Sequence, residues 1–278
     1  MPPTLTTPDG LALHVHHWPR QAARGTVLIV HGLGEHGGRY AHVAAQLNHW
    51  GWSVVAHDHR GHGRSGGARG GIDRDDALLL DLGAVIDAVR AAQPGRLLLL
   101  GHSMGGLIAA RFVAEGLQPQ PAAWFRDVEA LVLSSPALAA DMNAAQKLAL
   151  ASLGRLAPDL AVGNGLKPEW VSRDPAVVRA YVADPLVHDR ITPRLARFIL
   201  DGGELVCRLA PRWRVPTLLM WAGSDRCVAP RGSAAFAQAA PEDVVQAQAF
   251  APLFHEIFNE PEQAQVFERL RDWLQRLA

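Results

Sequence analysis

Gly101-His102-Ser103-Met104-Gly105 is a G-x-S-x-G pentapeptide, preceded by the apolar run Leu97–Leu100 and followed by a helix-forming stretch, Leu107 to Glu115. A serine hydroxyl is a weak nucleophile, so a hydrolase has to present it on a sharp strand-to-helix turn, with glycines where side chains would collide. With 26 glycines in 278 residues, chance supplies about 0.08 matches to this pattern before any demand on the flanks. The flanks meet that demand, which makes Ser103 the candidate nucleophile.

A serine nucleophile needs a histidine to take its proton and a carboxylate to orient the histidine, in the chain order serine, acid, histidine for a strand-to-helix elbow. Asp225 follows the strand-like Thr217–Trp221, and His255 follows the strand-like Val244–Gln248, which places both in loops at the carboxyl edge of a sheet. There are thirteen histidines, but His31, His57, His59, His62 and His102 precede the serine, His188 precedes the acid, and only His255 lies beyond it. Asp201 and Glu204 compete for the acid role, yet neither ends a strand. The oxyanion of a tetrahedral intermediate also needs backbone N–H donors. Met104, directly after the serine, supplies one; Leu33, in the loop His31-Gly32-Leu33-Gly34-Glu35-His36, is expected to supply the other.

These residues require a scaffold of alternating strands and helices. Strands are expected at Leu11–Trp18, Thr26–Val30, Ser53–Ala56, Leu97–Leu100, Ala130–Leu133, Thr217–Trp221 and Val244–Gln248. Helices are expected near Tyr40–His49, Asp75–Ala92, Leu107–Gly116, Ser233–Ala239 and Pro261–Leu277. That alternation is the signature of a mainly parallel sheet covered on both faces. Between residues 137 and 208 the rhythm breaks, and an insertion is the simplest account. The run from Ala144 to Leu156 is almost free of charge, so Leu148, Leu150 and Leu153 either line a pocket for an acyl chain or bury a packing helix.

Together the His31–His36 loop, the segment Asp58-His59-Arg60-Gly61-His62-Gly63-Arg64-Ser65, the elbow, Asp225 and His255 resemble the monoacylglycerol lipase and lysophospholipase family of α/β-hydrolases. The resemblance spans nearly the whole chain, with Asp184-Pro185-Leu186 also family-like. It implies an α/β-hydrolase fold with a mostly parallel eight-stranded sheet, helices on both faces and an inserted helical cap. Residues 1–136 and 209–278 would form the core, and 137–208 the cap. It also implies a serine esterase acting on a monoacyl lipid, with Glu35 and Arg39 touching the alcohol portion, although a charge pair at a helix N-terminus accounts for those two equally well. Asp58 to Ser65 would support the site without doing chemistry. The residues around His255 are bulkier than the family usually places there, which leaves the pocket width open.

Composition limits the alternatives. Lys plus Arg and Asp plus Glu both number 27, so no basic patch exists to hold nucleic acid or an anionic surface. A lipid partner must then be held by apolar contact, and transient contact with a membrane surface through the cap is expected. Cys207 and Cys227 are too few for a disulfide framework or a thiolate metal site. The N-terminus lacks the pattern of a signal peptide, and no apolar run is long enough to span a bilayer, so a cytoplasmic location is expected. No dinucleotide fingerprint, P-loop or zinc-protease motif appears, and serine chemistry calls for neither metal nor organic cofactor. Three other readings remain: a lysophospholipase, a serine aminopeptidase with Glu169, Asp174, Asp189 or Glu204 holding the substrate amine, and a binding protein without turnover.

Overall fold

The computed structural model describes residues 1–277, apart from the side chains of Ala145, Lys147 and Ala149. In chain order its elements are β1 (Thr4–Thr6), β2 (Ala12–Trp18), β3 (Thr26–Val30), α1 (Ala41–His49), β4 (Ser53–His57), α2 (Ala77–Ala92), β5 (Leu97–His102) and α3 (Met104–Glu115). There follow β6 (Ala130–Ser134), α4 (Ala144–Leu156), β7 (Val162–Gly163), α5 (Pro175–Ala183), β8 (Arg190–Ile191), α6 (Pro193–Leu209), β9 (Thr217–Ala222), α7 (Pro230–Ala239), β10 (Val245–Phe250) and α8 (Gln263–Arg276).

Eight strands form one sheet in the order β1-β2-β4-β3-β5-β6-β9-β10, antiparallel at the β1 and β2 end and parallel from β4 onward. The central strands are apolar at successive positions because both sheet faces are covered. In β3, Leu28 and Val30 enter a core shared with α2, α3 and α6, while Val27 and Ile29 enter a second core under α1 and α8. The period of two along a strand distributes β5 likewise: Leu97 and Leu99 go one way, Leu98 and Leu100 the other.

The eighth strand is β1, which was not among the expected ones. It pairs Thr4 with His14 and Thr6 with Ala12 across the Pro8-Asp9-Gly10 turn. The chain between β6 and β9 leaves the sheet and returns to pair beside its point of departure, Leu131 opposite Thr217. Part of that insertion belongs to the core: α6 buries Leu195, Phe198, Val206 and Leu209 against the same cluster as α3. Gly203 lets α6 approach the backbone closely, since a Cβ there would sit 2.5 Å from the Leu138 carbonyl oxygen. Of the remainder, α4 packs on α6, and residues 164–189 cover the cleft beside Ser103 and His255.

Candidate active site

Ser103 is the single residue between β5 and α3, with φ 54° and ψ −122°, a backbone region that a side chain normally avoids. The strain is held by close packing. A Cβ on Gly105 would lie 2.0 Å from the Val30 carbonyl oxygen, and one on Gly101 would lie 2.5 Å from that of Gly105. The Ser103 N–H donates to the Ser134 oxygen at 3.0 Å, and the Ser103 oxygen accepts from Ala137 at 2.9 Å, which fixes the turn from both sides. Helix α3 therefore starts at Met104, three residues before the sequence suggests, because Gly105 and Gly106 mask its first turn.

Asp225 and His255 meet as their loops allow. Asp225 Oδ2 lies 2.7 Å from His255 Nδ1, while Oδ1 accepts from the backbone N–H groups of Cys227 at 2.8 Å and Val228 at 3.0 Å. Burial alone would raise the pKa of Asp225; the imidazole and these N–H donors hold it below the ordinary carboxylate value. Asp225 is therefore an acceptor only, so Nδ1 carries the proton and Nε2 keeps its lone pair for the cleft. Burial would lower the pKa of His255, but the Asp225 carboxylate outweighs it and holds the pKa above 6.5.

Ser103, His255 and Leu33 line one cleft of about 410 Å³. The Met104 N–H opens α3, where a helix leaves its first donors unpaired. Leu33 N–H lies in a loop braced by Glu35, whose carboxylate accepts from the Gly32 N–H at 2.6 Å and the Tyr40 hydroxyl at 2.7 Å.

Glu35 and Arg39 form the charge pair that the sequence offered, within a wider network through Glu256 and Tyr181 that it did not disclose. Arg39 donates to Glu35 at 2.6 Å and bidentately to Glu256 at 2.6 and 2.8 Å, and its guanidinium lies 4.8 Å from the Tyr181 ring on α5. Two buried carboxylates around one guanidinium leave one net negative charge beside the imidazole. That charge favours the imidazolium that proton transfer creates. Arg39 is thus consumed by its partners and does not border the cleft; Glu35 borders it with its carboxylate already occupied.

The cap lines the cleft, but not through α4. Leu148 is 70% exposed, Leu150 and Leu153 are half-buried against α6, and none of the three borders the cleft. The apolar lining comes from Leu166, Pro168, Val171, Val182 and Val187, on the following loops and α5. Their irregular spacing carries no periodic signal, whereas the leucines of α4 repeat at helical intervals, with Leu150 and Leu153 half-buried and Leu148 and Leu156 exposed.

Several histidines around the site are buried as neutral rings. Burial, then the neighbouring His59, holds His62 at about 3; burial, then His255, holds His102 at about 4; His31 is likewise held well below 6.5 by burial and then His59. In the unfolded chain each would protonate near 6.5. Their contribution to stability is therefore present above that pH and lost as pH falls toward the folded values. Unfolding free energy should drop between pH 7 and pH 5 by about 2 kcal/mol for each of His62 and His102, with His31 acting in the same direction. Urea unfolding curves at the two pH values test this, and equal midpoints would mean that the rings are not buried neutral.

The family model of serine aminopeptidase, S33, matches residues 21–262. A monoacylglycerol lipase of Mycolicibacterium smegmatis is 35% identical over 260 residues, covering 92% of this chain and 90% of the relative. A phospholipase of Bacillus subtilis is 31% identical over 257 residues, covering 91% and 96%. The crystal structure of a monoacylglycerol lipase from Paleococcus ferrophilus matches with a TM-score of 0.83 and 33% identity, over 96% of this chain and 99% of that one.

Proposed function

The chain belongs to the serine aminopeptidase S33 family of α/β-hydrolases, and from that premise we propose that it hydrolyses carboxylic esters of monoacyl lipids, monoacylglycerol first among them. Ser103 Oγ attacks the ester carbonyl while His255 Nε2 takes its proton, and Asp225 keeps the imidazole in the required tautomer. The N–H groups of Leu33 and Met104 receive the oxyanion. His255 then returns the proton to the departing alcohol, and water repeats the sequence on the acyl-serine to release the fatty acid.

The observation that carries this reading is the strained Ser103 opening onto the same cleft as an imidazole whose other nitrogen is held at 2.7 Å by a carboxylate. The substrate class is supported by the named relatives and by the apolar lining from the cap. Of the four carboxylates considered for a peptide amine, Asp189 borders the cleft, whereas Glu169, Asp174 and Glu204 do not; Asp184 also borders it, but is paired with His36 at 2.9 Å. Parallel assays with mono-, di- and triacylglycerol, lysophospholipid and amino-acid amides test the proposal: monoacylglycerol should be turned over fastest, and preference for an amide would transfer it to the peptidases.

Acyl-chain recognition gives a sharper test. Each methylene buried is worth about 0.8 kcal/mol, close to fourfold in kcat/KM. Val187→Glu should therefore reduce turnover of a long-chain ester by at least about tenfold while an acetate ester changes by less than about twofold. Leu148→Glu, outside the cleft, should leave both unchanged when the esters are assayed as dissolved monomers. Equal losses for both esters in a folded Val187→Glu protein would contradict an acyl site at that position.

Leu148, Leu156 and Leu160 are 70%, 86% and 52% exposed along the outside of α4 and just beyond it, which suits transient contact with a lipid surface. No helix among the described residues is long and apolar enough to cross a membrane.

A further inference from the structure

On β2, His14 and His16 are two residues apart and so project from the same face of the strand. The register sets Val15 opposite His57, and the Asp58 N–H donates to the His14 carbonyl at 2.9 Å, which brings the Asp58 side chain beside both imidazoles. One donor atom from each of His14, His16 and Asp58 lies within 4.8 Å of the others, with His16 Nε2 and Asp58 Oδ1 2.8 Å apart. The two rings stand at 86° with centroids 4.6 Å apart, edge to face.

We propose that His14, His16 and Asp58 bind a divalent transition metal of the zinc class where β2 pairs with β4, apart from the Ser103 cleft. Two imidazoles and a carboxylate suit zinc, cobalt, nickel or copper and not the all-oxygen preference of calcium or magnesium. Bonds of about 2.0–2.2 Å place neighbouring donors of a tetrahedral zinc roughly 3.3 Å apart, so side-chain rotations suffice to close the site. The carboxylate is already oriented: Oδ1 accepts from the Gly37 N–H and Oδ2 from the Arg64 N–H, both at 2.9 Å. Such outer contacts are what hold a ligand in place for a metal. Arg64 opposes the ion with its charge and limits affinity. Because Gly37 hangs from the same Asp58 oxygen as His16, a bound ion is linked to the loop that carries Leu33.

A second set, Asp225, Cys227 and His255, has the same spacing. There the imidazole proton already lies between His255 and Asp225, and burial, then Asp225, pushes the Cys227 thiol well above its ordinary pKa, so a metal would have to displace two protons.

Zinc titration of the full metal-free chain by calorimetry tests the assignment. The expected result is one equivalent bound, weakened by about 100-fold or more in His14→Gln and in His16→Gln, and unchanged in Cys227→Ser and in His49→Gln. Native near-ultraviolet circular dichroism of the variants is the condition for counting their loss. Cobalt titration of the unaltered chain is independent of any variant: nitrogen and oxygen ligation without a thiolate charge-transfer band is expected. No zinc bound by the parent, undiminished binding in both histidine variants, or a thiolate band lost in Cys227→Ser would overturn the proposal.

Discussion

Ser103→Ala should lower kcat/KM for a monoacylglycerol by at least about 1,000-fold while leaving the thermal transition nearly unchanged. The side chain supplies only its hydroxyl. The strained turn is held by Gly101, Gly105 and the backbone bonds to Ser134 and Ala137, none of which the substitution touches. A companion variant separates chemistry from strain. Ser103→Gly should be equally inactive yet more stable, because glycine relieves a backbone strain of about 1–3 kcal/mol at φ 54°. Residual activity in both variants would point to a different nucleophile. Loss of folding in Ser103→Ala would mean that the hydroxyl has a structural task instead.

Asp225→Asn should lower kcat by about 10³- to 10⁴-fold, because an amide cannot hold the Nδ1–H tautomer or stabilise the imidazolium. The pH profile supplies a second readout. Neutral His255 is the active form, so kcat/KM rises with pH through its pKa, which the Asp225 carboxylate holds above 6.5 against the effect of burial. Removing that charge should move the acid limb to lower pH even as the plateau falls. A near-normal Asp225→Asn enzyme alongside inactive Asp201→Asn or Glu204→Gln would reassign the acid.

Local chemistry made much of this molecule legible in the sequence. The elbow signals itself through Gly101 and Gly105, whose absent side chains leave room for the Val30 and Gly105 carbonyls. Asp225 and His255 follow β9 and β10, each a run of residues with strand character ending at the sheet's carboxyl edge. Short or irregular features were harder to read. Strand β1 is only three residues long and is fixed by its pairing with β2 rather than by any pattern of its own. The Arg39–Glu256 pair joins residues 217 apart, a distance over which no periodicity reports. Helix α4 drew attention to its leucines through helical repetition, yet none of them borders the cleft, and Leu148 and Leu156 are exposed. The cleft lining, from Leu166 to Val187, depends on how loops fold back over the sheet.

The most direct test of the central claim is to follow monoacylglycerol hydrolysis while a fluorophosphonate is added in increments and the labelled peptide is identified by mass spectrometry. Ester hydrolysis through Ser103 predicts that activity falls linearly to zero at about one label per chain, all of it on the peptide containing Ser103. Full turnover with Ser103 completely labelled, or loss of activity with the label on another serine, would contradict it.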